Sequence, residues 1–251
     1  MELLLENVRS FAGPHHIPLR PLSLLVGENS SGKSTVMSIL AAILNPTFPT
    51  GRQLFNTPPF ELGSYDTIAT YRGGKYGRAK KFSLGISNPG ANVSVVTATF
   101  VEKEGQPEVS QLAIEDGPEQ ITATFSDKNL ISGIARLRLE ENSPQIREFP
   151  FSTSLPYKDT AITIDTILTS AVFLGSSDER KDDDRISVQR ILALAQMRAR
   201  QGQAAIAIAP IRTKPHRTYD QISIEFEPEG EHIPLILSRL ERDKSKNERV
   251  W

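Results

Sequence analysis

The run Gly27-Glu28-Asn29-Ser30-Ser31-Gly32-Lys33-Ser34 constrains this chain more than any other stretch. It fits G-x-x-x-x-G-K-[ST] in full, between an apolar run at residues 22–26 and a helical pattern at residues 34–44. The spacing has a physical reason. A backbone that turns successive N–H groups inward can cradle phosphate oxygens, and glycine at 27 and 32 permits the dihedrals and close approach this requires. Asn29 is among the few other residue types that tolerate left-handed angles. Ser30 and Ser31 fill the loop with small polar side chains, and Thr35 closes it. The helix that follows aims its partial positive charge at the same place. Lys33 then supplies a full charge for the β- and γ-phosphates, and the Ser34 hydroxyl suits Mg²⁺. The expected ligand is MgATP.

Local patterning supports this placement. Residues 3–8 read as a strand, residues 13–16 (Gly-Pro-His-His) as a turn, and residues 17–19 as a second short strand. Residues 22–26, Leu-Ser-Leu-Leu-Val, have the largely apolar character of a third, buried strand. Met37, Ile39, Leu40, Ile43 and Leu44 keep helical spacing, and Asn45-Pro46 predicts the helix end. Residues 46–81 read as irregular. Residues 82–151 read as an antiparallel meander, in which Val93, Val95, Ala98 and Phe100 roughly alternate with polar neighbours, as do Ile121, Ala123 and Phe125, then Ala135, Leu137 and Leu139. Turn chemistry at Asn88-Pro89-Gly90, Glu104-Gly105, Asp116-Gly117 and Ser126-Asp127 divides the runs. Beyond residue 176 a charged stretch precedes an amphipathic helix near residues 186–197, strands at 204–209 and 222–226, and a short helix near 234–240.

Composition narrows the class. A chain of 251 residues with 38% apolar and 24% charged side chains suits a globular protein with a sizeable core. A net charge of -1 gives no global footprint for nucleic acid. The absence of cysteine excludes disulfides, thiolate metal sites and cysteine nucleophiles. The N-terminus is acidic and its apolar run is too short for a signal peptide, while residues 37–44 fall far below the roughly 20 needed to cross a bilayer. The expectation is a cytoplasmic protein with no membrane partner.

Residues 5–11 (Leu-Glu-Asn-Val-Arg-Ser-Phe), 17–19 (Ile-Pro-Leu) and 22–35 together resemble the opening of the SMC/RecF/OLD class of ABC-type, AAA-family ATPase heads. Asparagine at the third loop position, Asn29, is a feature of that class. Residues 62–68 (Leu-Gly-Ser-Tyr-Asp-Thr-Ile) and 209–220 are similar to bacterial defence ATPases of the Septu kind. The resemblance implies an α/β P-loop NTPase: a mixed sheet around the P-loop helix plus an antiparallel β subdomain. It implies one head over residues 1–251, with strands, loop and helix in 1–45, an irregular segment and the β subdomain in 46–156, and a helical and strand segment with a basic loop in 157–251. Such heads form head-to-tail homodimers around two ATP molecules and gate an effector such as a nuclease, or a DNA transaction. The basic residue after the first strand, here Arg9, often approaches the nucleotide.

The sequence departs from that pattern. The class completes its site with a Ser-Gly-Gly signature and an apolar strand ending Asp-Glu. Here Ile131-Ser-Gly-Ile134 lacks the second glycine, and residues 112–116 reverse the acids and read better as a hairpin end. Residues 161–165 come nearest, but Thr166 stands where the catalytic Glu belongs. The expectation is a head incomplete at its C-terminus, able to hold ATP and poorly equipped to hydrolyse it. A non-catalytic nucleotide-binding subunit is the main alternative. A small-molecule P-loop kinase fits the β-rich middle poorly, and a GTPase lacks its guanine reader, since Thr213-Lys-Pro-His216 has no Asp. Residues 71–81 interleave basic and aromatic side chains, which suits nucleic acid or merely a solvated loop. Arg212, Lys214, His216 and Arg217 form a second basic segment. His15 and His16 are adjacent, so a strand would point them to opposite faces and away from a shared metal.

Overall fold

In the computed structural model the described residues are 1–154, apart from 52, 59, 75–76, 88–94, 127–129 and 139–145. The expectations for residues 88–90, 127, 161–166, 178–197, 204–220, 222–226 and 234–240 lie outside them.

Strand β1 (Glu2–Val8) turns at Arg9 and Ser10 into β2 (Phe11–Pro18). The turn expected at residues 13–16 is instead strand. The reason is position: among the described residues β2 is an edge strand paired only with β1, so Pro14 can lack its N–H without breaking an interior ladder there. Gly13 takes φ 83, and its N–H donates to Asn7 Oδ1 at 3.1 Å.

The phosphate-loop helix α1 (Lys33–Leu44) forms as its periodicity predicts. Val36, Ile39, Ala42 and Ile43 are buried along one face, and Asn45 goes extended ahead of Pro46, which stops the helix. The segment at 46–81 is irregular in hydrogen bonding, yet it supplies much of the core. Phe48, Leu54, Phe55 and Leu62 are buried, as are Tyr65 and Ile68 of α2 (Tyr65–Ile68), a four-residue helix that the sequence patterning missed.

The remaining strands are β3 (Lys81–Ser87), β4 (Val95–Lys103), β5 (Gln106–Asp116), β6 (Glu119–Phe125), β7 (Leu130–Arg138) and β8 (Ile146–Ser154). The eight strands form one sheet in the order β2-β1-β3-β4-β5-β6-β7-β8. Every ladder among the described residues is antiparallel, so the mixed sheet expected from the resemblance is not seen there. Each edge of β1 is already taken, by β2 on one side and β3 on the other, and this joins the N-terminal hairpin to the meander.

The meander follows its alternation in β5, β6 and the described part of β7, while Val95 in β4 is only half-buried, and Val93, Leu139 and the Leu137 side chain lie outside the described residues. Ala98, Phe100, Leu112, Ile114, Ile121, Ala123, Phe125, Ile131 and Ala135 face inward and are buried. Glu104 and Gly105 both adopt positive φ in the β4–β5 turn, as a tight hairpin requires. Ile131-Ser-Gly-Ile134 lies within β7 and not at a helix start, and residues 112–116 run along β5 to its end. An aromatic cluster anchors the centre of the core. Phe82 and Phe100 stack at 5.2 Å, Phe55 meets both edge-on at 5.7 and 5.1 Å, and Tyr65 lies 5.6 Å from Phe82. No helix among the described residues is long and apolar enough to cross a membrane.

Residues 22–26 depart most from expectation. They form no strand, and Leu22, Leu24 and Val26 are 80%, 80% and 90% exposed. The apolar run has the composition of a buried strand, but with both edges of β1 occupied, no strand among the described residues pairs with it.

Candidate functional site

Residues 27–31 form an exposed loop that leads directly into α1. Gly32 is the residue before the helix, with φ 96, and the ring of Phe11 sits where its Cβ would be, only 2.9 Å from the ideal position. The left-handed non-glycine residue of the loop is Ser30, at φ 65, and not Asn29. Asn29 therefore does not play the conformational part its residue type suggested. The turn is closed by the Ser31 N–H donating to the Glu28 carbonyl at 3.3 Å.

Lys33 curls back over this loop. Its Nζ donates to the Gly27 carbonyl at 2.9 Å, to the Glu28 carbonyl, and to Ser31 Oγ at 3.3 Å. Ser34 is exposed at the mouth of the helix, whereas Thr35 is buried on its inner side. The helix start carries no side-chain cap and no acid in its first turn. Helix N-termini leave backbone N–H groups without intrahelical partners, normally met by a capping side chain, water or an anion. Here the uncapped amides, the lysine ammonium and an exposed hydroxyl converge with no carboxylate among the first-turn residues. That donor set fits the phosphates of a nucleotide, and the exposed Ser34 hydroxyl is a group that could hold Mg²⁺.

Arg9 joins the site from the β1–β2 turn. Its Nη1 approaches Thr35 Oγ1 at 3.5 Å, while Nε donates to the Thr67 carbonyl at 3.1 Å and Nη2 to the Leu62 carbonyl at 3.0 Å. The structure thus brings Arg9 to the first turn of α1. Sequence patterning gave no sign of what holds it there, because its partners lie more than 50 residues away along the chain. The packing of Phe11 on Gly32 was likewise missed, although Phe11 follows the Arg9-Ser10 turn at the end of the first strand.

The other basic features resolve differently. Arg78 is committed internally. It pairs with Asp66 at 3.1 Å, donates to the Ala69 carbonyl at 3.0 Å, and lies 4.9 Å over the Tyr71 ring. The Arg72 guanidinium reaches Asn7 Oδ1 at 3.5 Å. Lys80 and Lys81 are exposed. His15 and His16 both lie on β2; His15 Nδ1 meets the Gly13 carbonyl at 3.0 Å, and His16 lies 3.5 Å from Glu2. Among the described residues no group of three or more His, Cys, Asp or Glu is arranged to hold a metal ion.

Comparison with known proteins adds one finding. The model of the family described as "AAA domain" matches residues 2–225. No curated protein and no solved structure matches the chain.

Proposed function

The chain belongs to the AAA domain family of P-loop ATPases, and from that premise we propose that it is an ATP-dependent switch. It binds MgATP in the loop of residues 27–34, and two copies close head to tail around two nucleotides to gate an effector such as a nuclease, or a DNA transaction. The observation that carries this reading is the arrangement at the start of α1. Lys33 arches over the loop at an uncapped helix N-terminus, with Ser34 exposed beside it.

The geometry supports a division of labour. The loop amides and the helix end receive the phosphate oxygens, Lys33 exchanges its loop carbonyls for them, and Arg9 adds a second cation from the Thr35 side. When bound, Mg²⁺ offsets phosphate charge, and the Ser34 hydroxyl is the group placed to hold it. The resemblance to SMC/RecF/OLD heads, and to Septu-type defence ATPases, supports the dimer and the effector. The sequence has no Ser-Gly-Gly signature and no apolar strand ending Asp-Glu, which favours slow turnover by the isolated chain. It also supports a second reading, a non-catalytic nucleotide-binding subunit.

MgATP binding, turnover and sedimentation, measured for the chain and for Lys33→Ala, test the proposal. Nucleotide binding that depends on Lys33, with dimers appearing only when ATP is present, is the expected result. Binding without association would favour the non-catalytic subunit. Phosphate transfer to a small metabolite would replace the switch with a kinase.

A further inference from the structure

We infer that residues 62–68 are a carbonyl cradle that positions the Arg9 guanidinium at the first turn of α1, and that Asn56 is the positioning residue keeping the cradle in shape. The inference rests on reading the loop at residues 27–34 as the nucleotide site.

Arg9 is held at four points by this one segment and the helix beside it. Its backbone takes φ 46, a conformation disfavoured for a side chain of this size, and its N–H donates to the Ile68 carbonyl at 2.7 Å. The guanidinium then spans the Thr67 and Leu62 carbonyls at 3.1 and 3.0 Å, which leaves Nη1 directed at Thr35 Oγ1. Thr67 and Ile68 close the four-residue helix α2, so their carbonyls are among the groups that a helix end leaves without intrahelical donors. Arg9 satisfies both of them.

The cradle has its own support. The Asn56 side chain pairs with Gly63 in both directions, receiving its N–H at 2.8 Å and donating to its carbonyl at 3.2 Å. The Leu62 N–H donates to the Phe55 carbonyl at 2.8 Å, and Thr67 Oγ1 donates to the Leu62 carbonyl at 2.6 Å. Gly63 sits at φ 88, and a Cβ there would lie 2.5 Å from Thr67 Oγ1. The Leu-Gly-Ser-Tyr-Asp-Thr-Ile run therefore has a geometric meaning: it points three carbonyls at one arginine, two of them at its guanidinium.

A clamp that served stability alone would not need to place a cation there. The N-terminus of a helix carries partial positive charge, so a guanidinium beside it is unfavourable until an anion arrives. Arginine also suits the site by shape: the guanidinium puts separate nitrogens on the Thr67 and Leu62 carbonyls and toward Thr35, whereas a lysine would have to meet all three from a single nitrogen.

The test is a double-mutant cycle on MgATP affinity, with thermal unfolding recorded for every variant. Arg9→Ala and Arg9→Lys should each weaken binding by about tenfold, and Asn56→Ala several-fold. In the Arg9→Ala background Asn56→Ala should cost no further affinity, while its effect on melting temperature persists. Should Arg9→Ala fail to fold, the same cycle is run with Arg9→Lys. Wild-type affinity in Arg9→Lys, or an Asn56→Ala loss of equal size in both backgrounds, would overturn the cradle while leaving the nucleotide site intact. Absence of MgATP binding by the wild-type chain would overturn the site reading, and the cradle with it.

Discussion

The Phe11 ring occupies the space that a side chain on Gly32 would need, 2.9 Å from the ideal Cβ position. The first hairpin is thereby packed onto the hinge between loop and helix. Gly32 also stands at φ 96, where L side chains are strained whatever the space.

Gly32→Ala should therefore fail twice over. The strain and the overlap together should cost about 1–3 kcal/mol of stability, and the displaced helix start should lose nucleotide. Phe11→Ala opens the space but leaves the dihedral, so the double variant should recover only part of the stability. Urea denaturation of the three variants measures this. Full recovery in the double variant would show that overlap alone makes glycine necessary.

Lys33→Ala should separate binding from stability. The lysine's contacts with the Gly27 and Glu28 carbonyls are solvent-exposed, so their loss should move the unfolding midpoint little. Its charge-assisted contact with phosphate should be worth roughly 1.5–3 kcal/mol, or about tenfold to a hundredfold in MgATP affinity. Calorimetric titration beside a melting curve reads both. A large fall in melting temperature would mean that the lysine mainly holds the loop together.

What could be read from sequence was local. The loop and α1 follow from glycines, a lysine and a helical period confined to residues 27–44, with Pro46 setting the stop. The meander was legible because alternation and turn chemistry act over a few residues at a time. Gly13 and Pro14 misled, since turn chemistry assumes an interior strand and β2 is an edge. The apolar run at 22–26 misled in the opposite sense: composition describes what a segment would bury and does not supply the partner that buries it. The Arg9 cradle joins residues separated by 53 and 58 positions, a distance at which no period or spacing carries information.

Tyr65 gives the molecule an alkaline weakness. Burial, with Glu102 nearby adding to it, pushes its phenol up to about 12 from an ordinary value of 10.0, and its hydroxyl donates to the Ala79 carbonyl at 3.1 Å. The folded state thus holds the phenol protonated beyond the point at which the unfolded chain would ionise. This contribution is complete below about pH 10 and is lost as pH rises toward 12, amounting to at most ~3 kcal/mol. Tyr65→Phe removes this proton. Its unfolding free energy should decline less steeply than wild type over that window, although it starts lower for want of the hydrogen bond. Parallel slopes would place the alkaline sensitivity elsewhere.

Phe82 should be, with Phe100, among the most costly single truncations in the aromatic cluster. It is fully buried on β3 and touches Phe55, Phe100 and Tyr65 at once. Phe82→Ala should cost about 3–5 kcal/mol, and Phe82→Leu much less because the volume is nearly kept. The damage should also reach the nucleotide. Phe55 packs edge-on against Phe82, and its carbonyl receives the Leu62 N–H, one step from the carbonyl that holds Arg9. Phe82→Leu should accordingly lower MgATP affinity by a few-fold under conditions where the protein remains folded. Titration well below the melting temperature checks this, and unchanged affinity would mean that the aromatic core and the arginine cradle are mechanically independent.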